Sequence, residues 1–330
     1  MSAEPSISVE ECEGFTTIRL SNRRITCTIL PQIGGKMIEL RNNITGTQFL
    51  LQPQSVQGYR QPHYGAVFDD YDTSGFDECF PTVEASPYRY RKGNRVLEVE
   101  FPDHGELWSR EWQYHLHDST LRLWIDGVRF PYRFEKTLQL QEDAVVIHYR
   151  LQNCGEVEFD YLWSAHPLLR VVPGAKILFR ENIQEVLLNW SSDPELGDYG
   201  AVLPWPHLSR NSGSLDFSIV PPQSVGKAVK CFTPALSEGG VALHYPDRDE
   251  AIVFEFDPRE IPYVGLWLCY GGWPMDSPRK HYTVALEPAR GRPDSLQKAM
   301  QRQEHCRIAP GATDHWSLKI RLVRGGPLNE

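Results

Sequence analysis

Glu287, His166 and His104 are the side chains whose types and settings best suit proton transfer. Glu287 closes a stretch in which Tyr282, Val284 and Leu286 fall on one strand face and His281, Thr283, Ala285 and Glu287 on the other. A carboxylate at a strand end beside small residues reaches into a cleft, and partial burial there raises its pKa toward neutrality, as a general base requires. Taken alone, the same residue also fits a solvated strand end. His166 ends a run in which Phe159, Tyr161, Trp163 and Ala165 face one way and Ser164 and His166 the other, with Pro167 fixing the chain behind it. This places an imidazole either over a ring-shaped ligand or in the core, bonded to backbone. His104 follows Pro102-Asp103 and precedes Gly105, and so belongs to a turn. One group that takes a proton and others that return it, each with a pKa near the working pH, form an acid/base set.

Other chemistries find less support. Trp108, Trp112, Trp163, Trp267 and Trp273 can stack on a ligand's C–H faces or fill the core. His115 and His117 lie two apart on one strand face, but no third ligand is near in sequence, so no metal and no other cofactor is expected. The seven cysteines are scattered without a CxxC pair, which suits reduced thiols in a cytoplasmic protein. No GxSxG, phosphate-binding or dinucleotide glycine loop occurs. The net charge of -9 comes without a basic stripe, so a nucleic-acid partner is not expected. Residues 1–14 are polar and acidic, with no apolar stretch of a signal peptide, and no segment approaches the ~20 apolar residues that cross a bilayer.

The elements that must hold these residues are strands. Arg24–Leu30, Val96–Phe101, Thr120–Val128, Arg133–Leu140, Ala144–Leu151, Glu250–Phe256, Val264–Tyr270 and His281–Leu286 alternate with period two, and Gly, Pro, Asn or Asp punctuates them. This predicts an all-β fold, a large antiparallel β-sandwich with one or two short helices, as a single domain over residues 1–330. The helix is expected within Ser295–Cys306, where Leu296, Ala299 and Met300 share a face, with Asp294 as N-cap and Gln297 as its capping-box partner. A last strand, His315–Val323, follows Pro310-Gly311. Ser191–Pro206 and Asn211–Ser224 read as long loops.

In this order the segments resemble the aldose 1-epimerase family of the galactose mutarotase-like superfamily, over about residues 16–323. Leu30-Pro31-Gln32-Ile33-Gly34-Gly35-Lys36-Met37 is similar to the family's opening turn. His104-Gly105 with Trp112 eight residues after the histidine is similar to the hexose-6-phosphate branch. His166 matches the second family histidine, and Glu287-Pro288 followed by Pro293-Asp294 the glutamate signature. The resemblance implies a cofactor-free reaction that interconverts the α and β anomers of a free sugar. In it Glu287 takes the proton of the anomeric hydroxyl, His166 protonates the ring oxygen and His104 polarises the sugar near C1.

Two departures bear on the substrate. Trp108 stands where the hexose-6-phosphate branch has an arginine, with Arg110 two residues on, and Asp77-Glu78-Cys79 replaces a small apolar segment. Two acids at the site mouth repel a phosphate and accept hydrogen bonds from sugar hydroxyls. The expected sugar contacts are therefore Asp77, Glu78, Trp108, Arg110, Trp267 and Arg290, and the expected substrate is a neutral aldose. The alternatives are a hexose-6-phosphate 1-epimerase, which requires Arg110, Arg290 or Arg292 to converge on the cleft, and a non-catalytic sugar-binding or sensing protein.

Overall fold

In the computed structural model the described residues are 5–12, 14–53, 58–208 and 215–325. Part of the N-terminal stretch 1–14 and residues 211–214 of the second long loop lie outside them. Two large sheets, all of whose neighbouring strands run antiparallel, face one another. The larger has eleven strands. Its middle, in spatial order, is Phe76–Cys79, Ser164–Arg170, Tyr282–Ala289, Tyr263–Tyr270, Lys227–Phe232 and Glu185–Ser191. The second has eight strands, with Thr313–Arg324, Ala144–Asn153 and Tyr132–Leu140 near its centre.

Alternation explains the core. Val145, Ile147, Tyr149 and Leu151 from one strand and Trp316, Leu318, Ile320 and Leu322 from its neighbour are buried, and opposite them Val284 and Leu286 come from the larger sheet. Each buried aliphatic side chain of this size contributes roughly 1.5–3 kcal/mol. One contiguous apolar cluster draws on residues from Ile18 to Leu322. Strand Tyr282–Ala289 is buried on both faces except at its first residue, because loops cover the face turned away from the core.

The expected strands are present with ends shifted by a few residues, and two site strands differ in extent. Glu287 does not close its strand, which runs on to Ala289. His166 lies near the start of Ser164–Arg170, while Phe159–Tyr161 pairs separately with Cys306–Ile308. The helix is Leu296–Arg302 and its N-cap is Ser295, whose hydroxyl accepts from the Lys298 amide at 3.5 Å. Asp294 does not cap it, because its carboxylate is engaged by Asn189 and Lys230, and Gln297 donates its amide to Ser86 Oγ. The stretch Ser191–Pro206 holds one 3-10 turn and the short strand Val202–Pro204.

Candidate active site

The larger sheet aligns the chemistry in two adjacent rows on its outer face. Asp77 pairs with His166, Glu287 with Gly265, and Gly265 with Phe232. His166 faces Glu287 between the flanking pairs Ser164–Ala289 and Leu168–Ala285. Pro167 and Pro288 each lack an amide donor, and the ladder is interrupted between those two pairs, beside His166 and Glu287. The next row runs Leu168, Ala285, Trp267, Lys230, Trp190. A register shift between Leu188 and Trp190 marks a bulge at Asn189, so consecutive residues Asn189 and Trp190 both reach the same cavity.

That cavity has a volume of about 450 Å³, and His104, His166, Glu287, Lys230 and Asp294 line its polar half. Glu287 is fully buried. Its Oε2 accepts from Lys230 Nζ and, at 3.5 Å, from Ser164 Oγ. Its Oε1 has no hydrogen-bond partner among the described residues and lies 3.9 Å from His166 Nε2. That gap exceeds a hydrogen bond, yet a hydroxyl oxygen seated between the two atoms would be about 2.8 Å from each. Gly265 makes room for the carboxylate, since a Cβ there would lie 3.0 Å from Glu287 Oε2. Burial pushes the Glu287 carboxyl above its ordinary value, with Lys230 opposing the rise and Asp294 adding to it.

The two histidines sit in opposite electrostatic settings. His104 adopts a left-handed φ of 56° in the turn before Gly105, where a Cβ on the glycine would lie 2.0 Å from the Phe80 carbonyl oxygen. Its Nδ1 pairs with Asp103 Oδ1 at 2.9 Å, while Asp103 Oδ2 accepts from the Phe68 amide. Phe68 stacks on the imidazole with centroids 4.2 Å apart. Burial disfavours the charged imidazole, but Asp103 outweighs it and holds His104 above its ordinary value. His166, with its ring centroid 5.0 Å from that of His104, has no carboxylate hydrogen bond, and its Nδ1 has no partner among the described residues. Burial, then the cationic neighbours His104, Lys230 and Lys36, push it well below its ordinary value.

Beyond this polar half an aromatic wall forms from Trp190, Trp267 and Trp273, with centroids 5.2–6.3 Å apart. Trp273 Nε1 donates to Asp69 Oδ2 at 2.7 Å.

Of the six expected sugar contacts, Trp267 lines the cavity and five do not. Period two places Asp77 and Glu78 on opposite faces of Phe76–Cys79. Asp77 is buried beneath His166, 3.1 Å from Lys36 Nζ, with its carboxyl pushed up to about 7 by burial against the pull of Lys36. Glu78 points into the core, where Lys136 and Tyr149 donate to it. Trp108 packs edge-on behind Phe68 and donates to the Asp103 carbonyl at 2.9 Å, bracing the turn without reaching the cavity. Arg110 donates to the Asp126 carbonyl, and Arg290 pairs with Asp314 at 2.9 Å over the Trp316 ring. Arg292 pairs with Glu304. His115 and His117 are exposed on the strand Gln113–His117.

Lys230, Asp294, Asn189 and Trp190 escaped the sequence reading as site residues. For Lys230 a signal existed: a lysine between Val229 and Cys231 in a strand-like run must find an anion if buried. The bulge that exposes Asn189 and Trp190 has no such signature.

Solved structures share this fold. It aligns with an aldose 1-epimerase candidate from Escherichia coli K12 at a TM-score of 0.68 and 17% identity, over 97% of this chain and 100% of that one. A galactose mutarotase-like protein from Clostridium acetobutylicum aligns at 0.68 and 14% over 97% and 99% of the two chains. Another from Lactobacillus casei ATCC 334 aligns at 0.66 and 15% over 96% and 100%. At these identities the likeness establishes the shared fold, a galactose mutarotase-like β-sandwich. No protein-family model matches the chain, and no curated protein matches it. Among the described residues no helix is long and apolar enough to cross a membrane.

Proposed function

We propose that this protein is an aldose 1-epimerase acting on a neutral free sugar. The observation that carries the reading is the unpartnered Glu287 Oε1 facing His166 Nε2 across 3.9 Å, with the Asp103-bound His104 alongside. Glu287 takes the proton from the anomeric hydroxyl, the ring C–O bond breaks, and the ring oxygen receives a proton. Rotation about C1–C2 and the reverse transfers close the ring on the other face. The electrostatics favour an exchange of the two histidine roles implied by the resemblance. His104, whose hold on a proton Asp103 strengthens, is the better proton donor to the ring oxygen, and His166, whose charged form burial disfavours, is suited to hydrogen-bond the sugar.

A neutral substrate suits the lining. Asp69, Glu84, Asp103, Glu287 and Asp294 outnumber Lys230 and Lys298, and no arginine among the described residues lines the cavity. The convergence that a phosphosugar site requires of Arg110, Arg290 or Arg292 is not found.

The test is NMR exchange between anomers for a panel of hexoses, pentoses and hexose 6-phosphates, with the wild type and Glu287→Gln. Acceleration for a neutral sugar, lost in the variant, is the expected result. A folded wild type that accelerates none of them refutes the reading. Saturable sugar binding without acceleration would move the assignment to a binding protein.

A further inference from the structure

We propose that Cys79, His104 and His166 form a binding site for a thiophilic divalent cation of the zinc type, and that the bound cation excludes the sugar. The exclusion rests on the epimerase reading, whereas the cation site does not. The three residues come from distant parts of the chain. Cys79 ends the strand Phe76–Cys79, which pairs with the strand carrying His166, and His104 descends from the turn above. One ligand atom from each lies within 4.8 Å of the other two. In a tetrahedral zinc site, bonds of about 2.0–2.3 Å place ligand atoms ~3.3–3.6 Å apart. Closing the difference takes a movement on the order of 1 Å, within reach of a small rotation of the imidazoles.

Three further observations prepare the site for a cation. Asp103 Oδ1 holds His104 Nδ1 at 2.9 Å and leaves Nε2 to coordinate, the carboxylate–histidine arrangement that orients zinc ligands. His166 is 6% exposed, and the nitrogen of its ring that faces Glu287 is Nε2. Glu287 Oε1, unpartnered among the described residues and 3.9 Å from His166 Nε2, can supply a fourth ligand. The surrounding carboxylates Asp77, Asp103, Glu287 and Asp294 outnumber the cations Lys36 and Lys230, so a divalent ion is not repelled overall. One sulfur and two imidazoles select zinc or cobalt over magnesium and calcium, which prefer oxygen. On binding, the thiol proton and any proton on His104 Nε2 leave to solvent as the metal–sulfur and metal–nitrogen bonds form. The cation then sits where the sugar's C1 region would lie, between the base and the imidazoles.

Cobalt(II) is the probe, titrated into chelator-treated full-length protein, with zinc(II) as competitor. The expected result is one cobalt per chain, a thiolate-to-cobalt charge-transfer band, intense visible bands of tetrahedral coordination, and displacement by zinc. Cys79→Ser abolishes the charge-transfer band, and Asp103→Asn weakens zinc binding roughly 10–100-fold. Cys79→Ala provides a second test of the sulfur ligand, and near-UV circular dichroism confirms the fold of each variant. Absence of the band in folded wild type, or its persistence in both Cys79 variants, overturns the site. Anomer exchange, normalised to each protein's metal-free rate, then tests exclusion. Loss on adding zinc, reversed by chelator, supports it, and an undiminished rate with the site filled overturns it. A wild type with no exchange at any metal level defeats the epimerase reading while the cobalt spectrum still decides the site.

Discussion

Lys230 holds Oε2 of Glu287 and thereby leaves Oε1 as the free oxygen, facing His166. The lysine is 5% exposed and is held in turn by Asp294 Oδ1 at 3.3 Å, with Asn189 donating to the other Asp294 oxygen. This chain fixes the carboxylate and opposes the effect of burial on its pKa. In Lys230→Met the cation is lost while burial and Asp294 continue to push Glu287 upward. The base is then protonated over a wider range, so the acid limb of kcat/KM against pH moves to higher pH. Breaking a buried pair costs about 3–5 kcal/mol, so thermal melting falls as well. Lys230→Arg keeps the charge and restores the limb toward its wild-type position. A folded Lys230→Met with an unmoved acid limb refutes this role.

The paired histidines make a second prediction about pH. A donor that must be protonated loses activity as pH rises through its pKa. With His104 as that donor, the basic limb of the profile lies above the ordinary value of 6.5, and Asp103→Asn moves it down. With His166 as the donor, the limb lies well below 6.5, and Asp103→Asn moves it up, because less positive charge on His104 relieves the imidazole beside it. A pH–rate series of wild type and Asp103→Asn separates the two assignments.

The sheet pattern was legible because half-buried strands declare themselves by period two, and the outward face of Tyr282–Ala289 was read correctly for Ala285 and Glu287. The errors have local causes. Asp77 and Glu78 cannot both meet the sugar, because adjacent strand residues point to opposite faces. Nearness in sequence to His104 and Glu287 does not fix where Arg110 and Arg290 point. Their partners, the Asp126 carbonyl and Asp314, are known only once the second sheet is in place. Asp294 looked like a helix cap because it is an acid before a helical run, yet Ser295 beside it does that work. The three tryptophans of the wall come from a bulge, a strand interior and a loop, and register unites only Trp190 and Trp267.

Gly265 provides a test of geometry independent of charge. In Gly265→Ala the new methyl group meets Glu287 Oε2 and the Phe232 ring, each at 3.0 Å. Overpacking of this kind costs about 1–3 kcal/mol, so the protein stays folded with a lowered melting temperature. The carboxylate must swing away from the sheet, and kcat is expected to fall tenfold or more, since misplacement by about 1 Å is enough for a 100-fold loss. Anomer exchange measured beside a melting curve separates the effects. Unchanged kcat would mean that Glu287 is not held as tightly as the contacts indicate.

The aromatic wall predicts a different kinetic signature. Trp267 stands one row from Glu287, and its indole offers a flat apolar surface to the C–H face of a pyranose, while polar groups opposite meet the hydroxyls. Stacking of this kind acts on the closed ring in the ground state and on the opening ring nearly alike. Uniform binding changes KM and leaves kcat almost unaltered. In Trp267→Ala, KM is therefore expected to rise by roughly tenfold, equivalent to ~1.4 kcal/mol of binding. In Trp273→Ala the rise is smaller, because that ring is tethered through its Nε1 to Asp69. Quenching of tryptophan fluorescence by sugar checks the same binding without turnover. A Trp267→Ala variant with unchanged KM and reduced kcat would instead place the indole's contribution in the transition state, where it would act by excluding water from the opening ring.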